Sequence, residues 1–155
     1  MTPEGTGLSA PEIARCILDS YASRLGTPLL EASGDPAADA HSLMELDAVV
    51  LSHDGAKDPR FVYANRAAAS LWRMPLEELI GMPSRLSAPP EWRQNRSQML
   101  SEAATAGFLR GYDGERIAKD GTRFIIRDAT LWTVDGYPGG PGQAVVFSNW
   151  ELLSG

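Results

Sequence analysis

One cysteine, two histidines and two lysines stand among 155 residues, and each scarcity removes a class of function. A lone thiol, Cys16, excludes an intrachain disulfide, supplies no thiolate cluster for zinc and fits a reducing, cytoplasmic compartment. With so few soft or imidazole ligands, no metal site is expected. No uninterrupted apolar run approaches the roughly 20 residues a membrane helix needs. Nor does a basic segment followed by an apolar stretch open the chain, so neither membrane spanning nor secretion is expected. No cluster of cations interleaved with aromatics is present either, and at a net charge of −6 the chain repels phosphate backbones at long range. Nucleic acid is therefore not an expected partner.

What the chain does have is apolar mass. A hydrophobic fraction of 43% over 155 residues without repeats is enough for one domain with its own core. The acidity is concentrated early: residues 1–58 carry ten acidic and three basic residues. Arginine outnumbers lysine twelve to two, and arginine is the cation suited to forked, partly buried hydrogen bonding.

The order of elements follows from caps and periods. Ser9-Ala10-Pro11-Glu12 is a capping box, and Ala14, Ile17, Leu18, Tyr21 and Leu25 line one face of a helix that Gly26 and Pro28 end. Gly26 to His41 reads as a connector, with a short helix at Ser42 to Leu46. Ala48 to Ser52 and Phe61 to Tyr63 are short strands joined through His53-Asp54-Gly55, which reads as a turn, and they are expected to pair antiparallel. In "FVYANRAAASLW" the second strand runs into Asn65, a helix-cap residue type, and then into a helix with Ala64, Ala67, Ala68 and Leu71 on one face. A second short helix starts at Pro75, and a longer one spans about Pro90 to Gly107 with Trp92, Arg96, Met99, Leu100 and Ala103 on its apolar stripe. Leu109 to Ala118, Thr122 to Val134 and Gln143 to Leu153 then form a meander. The last two strands carry apolar residues at both parities, so both sheet faces need cover, from the leading helix or a second subunit.

Strand, strand, short helices, long helix and three antiparallel strands is the order of a PAS domain. "FVYANRAAASLW", "PLEELIGMPSRLSA", "GYDGERIAKDGTRFIIRDATLW" and "GQAVVF" resemble the MEKHLA family of PAS-like domains. The resemblance implies an α+β, PAS-like fold: a five-stranded antiparallel sheet of order 2-1-5-4-3, short helices over one face, an N-terminal amphipathic helix and an interior ligand cavity. It divides the chain into an N-terminal helix and linker, residues 1–42, and the PAS/MEKHLA domain, residues 43–155. Light-sensing flavin relatives carry a reactive cysteine in an Asn-Cys-Arg-Phe motif where this chain has "GMPSRLSAPPEW", so a flavin adduct is excluded. Haem-binding relatives often place a histidine on the long helix, where this chain has none, so haem is not expected. The chain reaches Gly155 directly after the last strand, and any signal is expected to pass to a separate protein partner.

Polar and aromatic residues at expected inward positions are the candidate ligand contacts. Arg96 sits among Trp92 and Met99, Asp128 in an apolar strand, and Tyr112, Arg116, Arg127 and Trp132 on strands lining the expected cavity. With Tyr63, Trp72, Phe147 and the loop pair Ser84-Arg85 they would suit a small anionic or aromatic molecule. A structural role competes at each position: Arg96 or Arg116 pairing with Asp128 or a carbonyl, Ser84-Arg85 forming a turn, Trp72, Trp92, Trp132 and Trp150 filling the core, and Tyr63 and Asn65 serving as strand core and helix cap. The functional expectation is a stand-alone sensory or interaction module that dimerises through its leading helix and outer sheet face. The alternative is a small cofactor-independent enzyme moving a proton on a hydrophobic or anionic substrate with Asp128, Arg96 and His53.

Overall fold

A computed structural model describes residues 7–153; the remaining ends of the two expected segments, residues 1–6 and 154–155, lie outside it. Helix α1 (Ala10–Leu25) starts at the expected capping box, with Ser9 and Glu12 exchanging side-chain-to-backbone hydrogen bonds, and ends at Gly26 in the left-handed conformation. Helix α2 (Pro36–Met44) begins earlier than the expected Ser42 start. Asp35 caps it by accepting from the Ala37 amide, and Pro36 fills the first helical position, where a missing N–H costs nothing.

Strands β1 (Val49–His53) and β2 (Phe61–Ala64) pair antiparallel and lead through Asn65 into α3 (Arg66–Trp72). Asn65, fully buried, is more than a cap. Its Oδ1 accepts from the amides of Ala68 and Val50, each at 3.1 Å, and its Nδ2 donates to the carbonyls of Ala48 at 2.8 Å and Leu43 at 3.3 Å. One amide group thus ties the start of β1, the end of α2 and the first turn of α3. Helix α4 (Leu76–Leu79), two short 3-10 turns and α5 (Arg93–Ala106) follow. Strands β3 (Phe108–Ile117), β4 (Arg123–Val134), β5 (Gly142–Phe147) and β6 (Asn149–Leu152) complete the chain.

The sheet order is β2-β1-β5-β4-β3, as expected, with β6 as a sixth strand on β4. The expected last strand breaks at Ser148: β5 pairs with Thr130–Val134 of β4, and β6 with Phe124–Arg127. Both faces are covered. The helices after β2 pack Trp72, Leu79, Met99 and Ala103 onto the inner face, whereas α1 and α2 pack Ile13, Ile17 and Leu43 onto the outer one. The chain's own leading helix is the second cover. Trp132 donates from its indole N–H to the Ile17 carbonyl at 3.3 Å and meets the Tyr21 ring edge-on at 4.8 Å. Arg24 reaches the Thr133 carbonyl and the Asp135 carboxylate.

Mixed parity in the meander has a second cause. The β3–β4 register shifts twice, between Leu109 and Tyr112 and between Tyr112 and Gly114. Gly111 adopts φ 73° on one strand and Asp128 φ 52° on the other. Each bulge inserts one residue and so moves the inward set from one parity to the other. On β4 the buried inner residues are Phe124 and Ile126 before the bulge, then Ala129 and Leu131 after it.

Candidate functional site: an interior cavity with two buried arginines

Between α3, α5 and the inner sheet face lies a cavity of about 40 Å³, walled by Leu51, Phe61, Trp72, Met99, Ile126 and Phe147 and carrying three basic side chains, His53, Arg96 and Arg116. The fold puts them there by simple periodicities. His53 ends β1 two residues after Leu51, so both face inward. Arg96 precedes Met99 by three residues on the buried stripe of α5, and Arg116 follows Tyr112 and Gly114 at two-residue spacing on β3 after its bulge. Gly114 matters for this packing, because a Cβ there would run into the Tyr112 phenol. Its absence lets the Tyr112 ring lie along the strand, where the Arg116 guanidinium stacks over it at 5.4 Å and the hydroxyl donates to Asn95 Oδ1 at 3.2 Å.

The electrostatics are unusual for a protein interior. Arg96 is 8% exposed, Arg116 5% and His53 6%, yet neither guanidinium forms an ion pair with any described carboxylate. Arg116 donates to the Glu115 carbonyl at 2.8 Å; Arg96 has no hydrogen bond to a described residue. Burial, and next the Arg116 charge, pull the Arg96 pKa down to about 9, and burial lowers Arg116 as well. Arginine remains charged at neutral pH even so, so the downward shift measures how poorly the fold solvates the cation. Burial and then Arg96 also bring His53 down to about 4, leaving a neutral imidazole at pH 7. Its Nδ1 is 2.9 Å from the Asp54 carbonyl oxygen, and its Nε2 is buried without a partner. Two cations without counter-charge and one open nitrogen share a mostly apolar space.

Six residues singled out in the sequence as ligand contacts meet at this cavity: Trp72, Arg96, Met99, Tyr112, Arg116 and Phe147. Others lie elsewhere. Asp128 does not face Arg96 as expected; its left-handed backbone turns it outward at the β4 bulge, where it is exposed and its amide donates to Asp113. Arg127 is half-exposed, ion-paired with Asp113 at 3.3 Å and Glu151 at 3.7 Å. Trp132 and Tyr63 belong to the core under α1 and α2. Arg85 pairs with Asp58 at the surface, Ser84 is buried beside the β2 loop, and Trp92 is partly exposed outside the cavity wall. The Asp128–Arg96 pair on which a proton-transfer enzyme was to rest is not formed. His53, read from sequence as part of a turn, and Gln143, which donates to the Leu100 carbonyl at 2.8 Å, are wall residues. The shared parity of Leu51 and His53 was the available signal for the first.

An open antiparallel sheet of this order with short helices enclosing an inner cavity defines a PAS/LOV-like domain, and solved structures agree. The PAS domain of a protein from Colwellia psychrerythraea superposes with a TM-score of 0.59 at 16% identity, over 71% of this chain and 92% of that one. A fungal LOV domain photoreceptor gives 0.57 at 21% identity, over 88% and 89%. An RNA-binding light-oxygen-voltage receptor gives 0.61 at 18% identity over 77% of this chain, which spans 34% of the receptor. No curated protein sequence matches. The chain belongs to the MEKHLA domain family, whose model matches residues 11–152 and so takes in α1 and α2. The flavin of LOV relatives does not fit here: a cofactor pocket needs roughly 300 Å³ or more, whereas Trp72, Phe147 and Met99 fill the space down to about 40 Å³. Among the described residues no helix is long and apolar enough to cross a membrane.

Proposed function

We propose that this domain is a sensory module that binds a small anion in its interior cavity and signals to a separate protein partner. The observation that carries the reading is the pair of buried guanidiniums, Arg96 and Arg116, without a carboxylate partner. A buried cation left uncompensated costs several kcal/mol, and an anionic ligand removes that cost on binding. The apolar walls add affinity for a small hydrocarbon portion and exclude water, which strengthens each charge-assisted hydrogen bond. Binding would tie α5, which carries Arg96, to the inner sheet face, which carries Arg116. Coupling of a helix to the sheet through the ligand is a physical basis for a signal.

Thermal melting against a panel of carboxylates and inorganic oxyanions tests the reading. At least one anion raises the melting temperature of the wild type in a saturable way, and Arg96→Met and Arg116→Met each abolish the shift. A panel without any shift, or shifts that survive both substitutions, would overturn it. Native mass spectrometry of freshly purified protein gives an independent view of any co-purified ligand.

A further inference from the structure

Resting on the anion reading, a second feature of the same cavity narrows the ligand. We infer that it is a small 2-hydroxy carboxylate, whose carboxylate lies on Arg96 and Arg116 and whose hydroxyl donates a hydrogen bond to His53 Nε2. The tautomer follows from geometry. A carbonyl oxygen only accepts, so the 2.9 Å contact between His53 Nδ1 and the Asp54 carbonyl places the proton on Nδ1. In a neutral imidazole the other nitrogen is then an acceptor. The ring is neutral at pH 7 because burial and the Arg96 charge hold its pKa at about 4. Nε2 is therefore a buried lone pair without a donor, on the wall that holds two cations without a carboxylate partner.

A plain carboxylate satisfies the guanidiniums and leaves Nε2 unpaired. A molecule carrying both an anionic group and a hydroxyl donor on the neighbouring atom satisfies both sides of the cavity. Size sets the rest. A water needs about 10–15 Å³ measured this way and occupies about 30 Å³ of liquid, so 40 Å³ of free space has room for roughly three waters' worth of ligand. That is the scale of a two- or three-carbon hydroxy acid. Leu51, Met99 and Phe147 provide apolar contact for its one short alkyl group.

Isothermal titration with glycolate, each enantiomer of lactate, and propionate, which is lactate without its hydroxyl, tests the inference. One lactate enantiomer or glycolate binds at least tenfold more tightly than propionate, the penalty for leaving a buried acceptor unpaired. In His53→Gln, checked for a cooperative melt, the ratio of hydroxy-acid to propionate affinity shrinks. Nitrogen NMR on uniformly labelled protein gives a reading that does not depend on any variant: the free protein shows a protonated Nδ1 and an unprotonated Nε2, and the Nε2 resonance moves on adding the hydroxy acid but not on adding propionate. No preference over propionate by glycolate or by either lactate enantiomer, or a protonated Nε2 in the free protein, overturns the inference and leaves the anion reading standing. Binding only of anions that lack a hydroxyl has the same meaning. Failure of every anion to bind, with or without a hydroxyl, sinks both.

Discussion

Replacing Arg96 by methionine should make the ligand-free protein more stable, although the residue is buried and large. Most substitutions at buried positions destabilise, so the sign of this one is informative. The guanidinium is 8% exposed and its pKa falls well below the ordinary arginine value, to about 9, through burial and then the Arg116 charge. At 1.36 kcal/mol per pKa unit, keeping that charge inside costs about 5 kcal/mol. Methionine keeps most of the stem's contacts with the apolar stripe and removes the charge, and such replacements of buried ions by apolar residues of similar volume recover part of the penalty. A net gain of about 1–2 kcal/mol is expected, or about 2–8 °C in the melting temperature of a domain of this size.

Urea denaturation in a buffer free of phosphate and carboxylates, at low ionic strength, measures the effect. The wild type and Arg96→Met are compared there and again with the tightest-binding anion. Without anion the variant is the more stable; with saturating anion the order reverses, because only the wild type gains from ligand binding. A loss of more than 1 kcal/mol in the anion-free buffer would show that Arg96 is compensated within the fold and serves as a pin between α5 and the sheet. The ligand reading would then lose its main support.

The remaining expectations are independent of one another. The depressed His53 pKa of about 4 means that, as pH falls below the unfolded value near 6.5, the unfolded chain takes up a proton that the native state refuses. Stability present above pH 6.5 is lost between there and pH 4, by about 3 kcal/mol, a loss that His53→Gln removes in chemical denaturation at stepped pH. The groups around the ring favour this sign, with Arg96 on α5 acting against its protonation and Asp54 beside it only partly offsetting that. Asn65→Ala leaves two amides and the Ala48 and Leu43 carbonyls without their partner and should cost about 3–4 kcal/mol by denaturant titration. Gly114→Ala forces the Tyr112 ring away from Arg116, an overpacking change expected to cost about 1–3 kcal/mol and to weaken anion binding. Asp128→Gly, by contrast, relieves a φ of 52° at an exposed position and should stabilise by about 1 kcal/mol, with anion affinity changed less than twofold in calorimetry.

The contrast between Arg96 and Asp128 shows what the sequence could and could not disclose. Element order was legible because caps and turns are local: the Ser9–Glu12 box, the Gly26 stop and the Asn65 cap each act within a few residues. Arg96 was legible for the same reason, since a helical stripe keeps its phase over fourteen residues of α5. Strand parity has no such persistence. One extra residue inverts it, and the bulges at Gly111 and Asp128 reset the phase in the middle of both long strands. Asp128 therefore sat at an apparently inward position and points to solvent, and Trp132, on the other side of the same bulge, faces α1 instead of the cavity. His53 was obscured by a different ambiguity: a strand's last residue and a turn's first look alike in composition, and only pairing with Gln143 across β5 decides that it still belongs to the strand.

These two kinds of error bear on function. Placing Asp128 inside supplies Arg96 with a counter-ion and leaves only Arg116 uncompensated, which weakens the case for a ligand. Moving Asp128 out and His53 in reverses the balance, leaving two donors of positive charge and one lone pair on a shared apolar wall. An interior of that kind is poorly adapted to being empty, because the Tyr112 ring and the Glu115 carbonyl at Arg116 repay only part of the desolvation of the two cations. The stability lost to that arrangement is what the proposed anion sensor requires: a free state held at a disadvantage that a bound anion would remove.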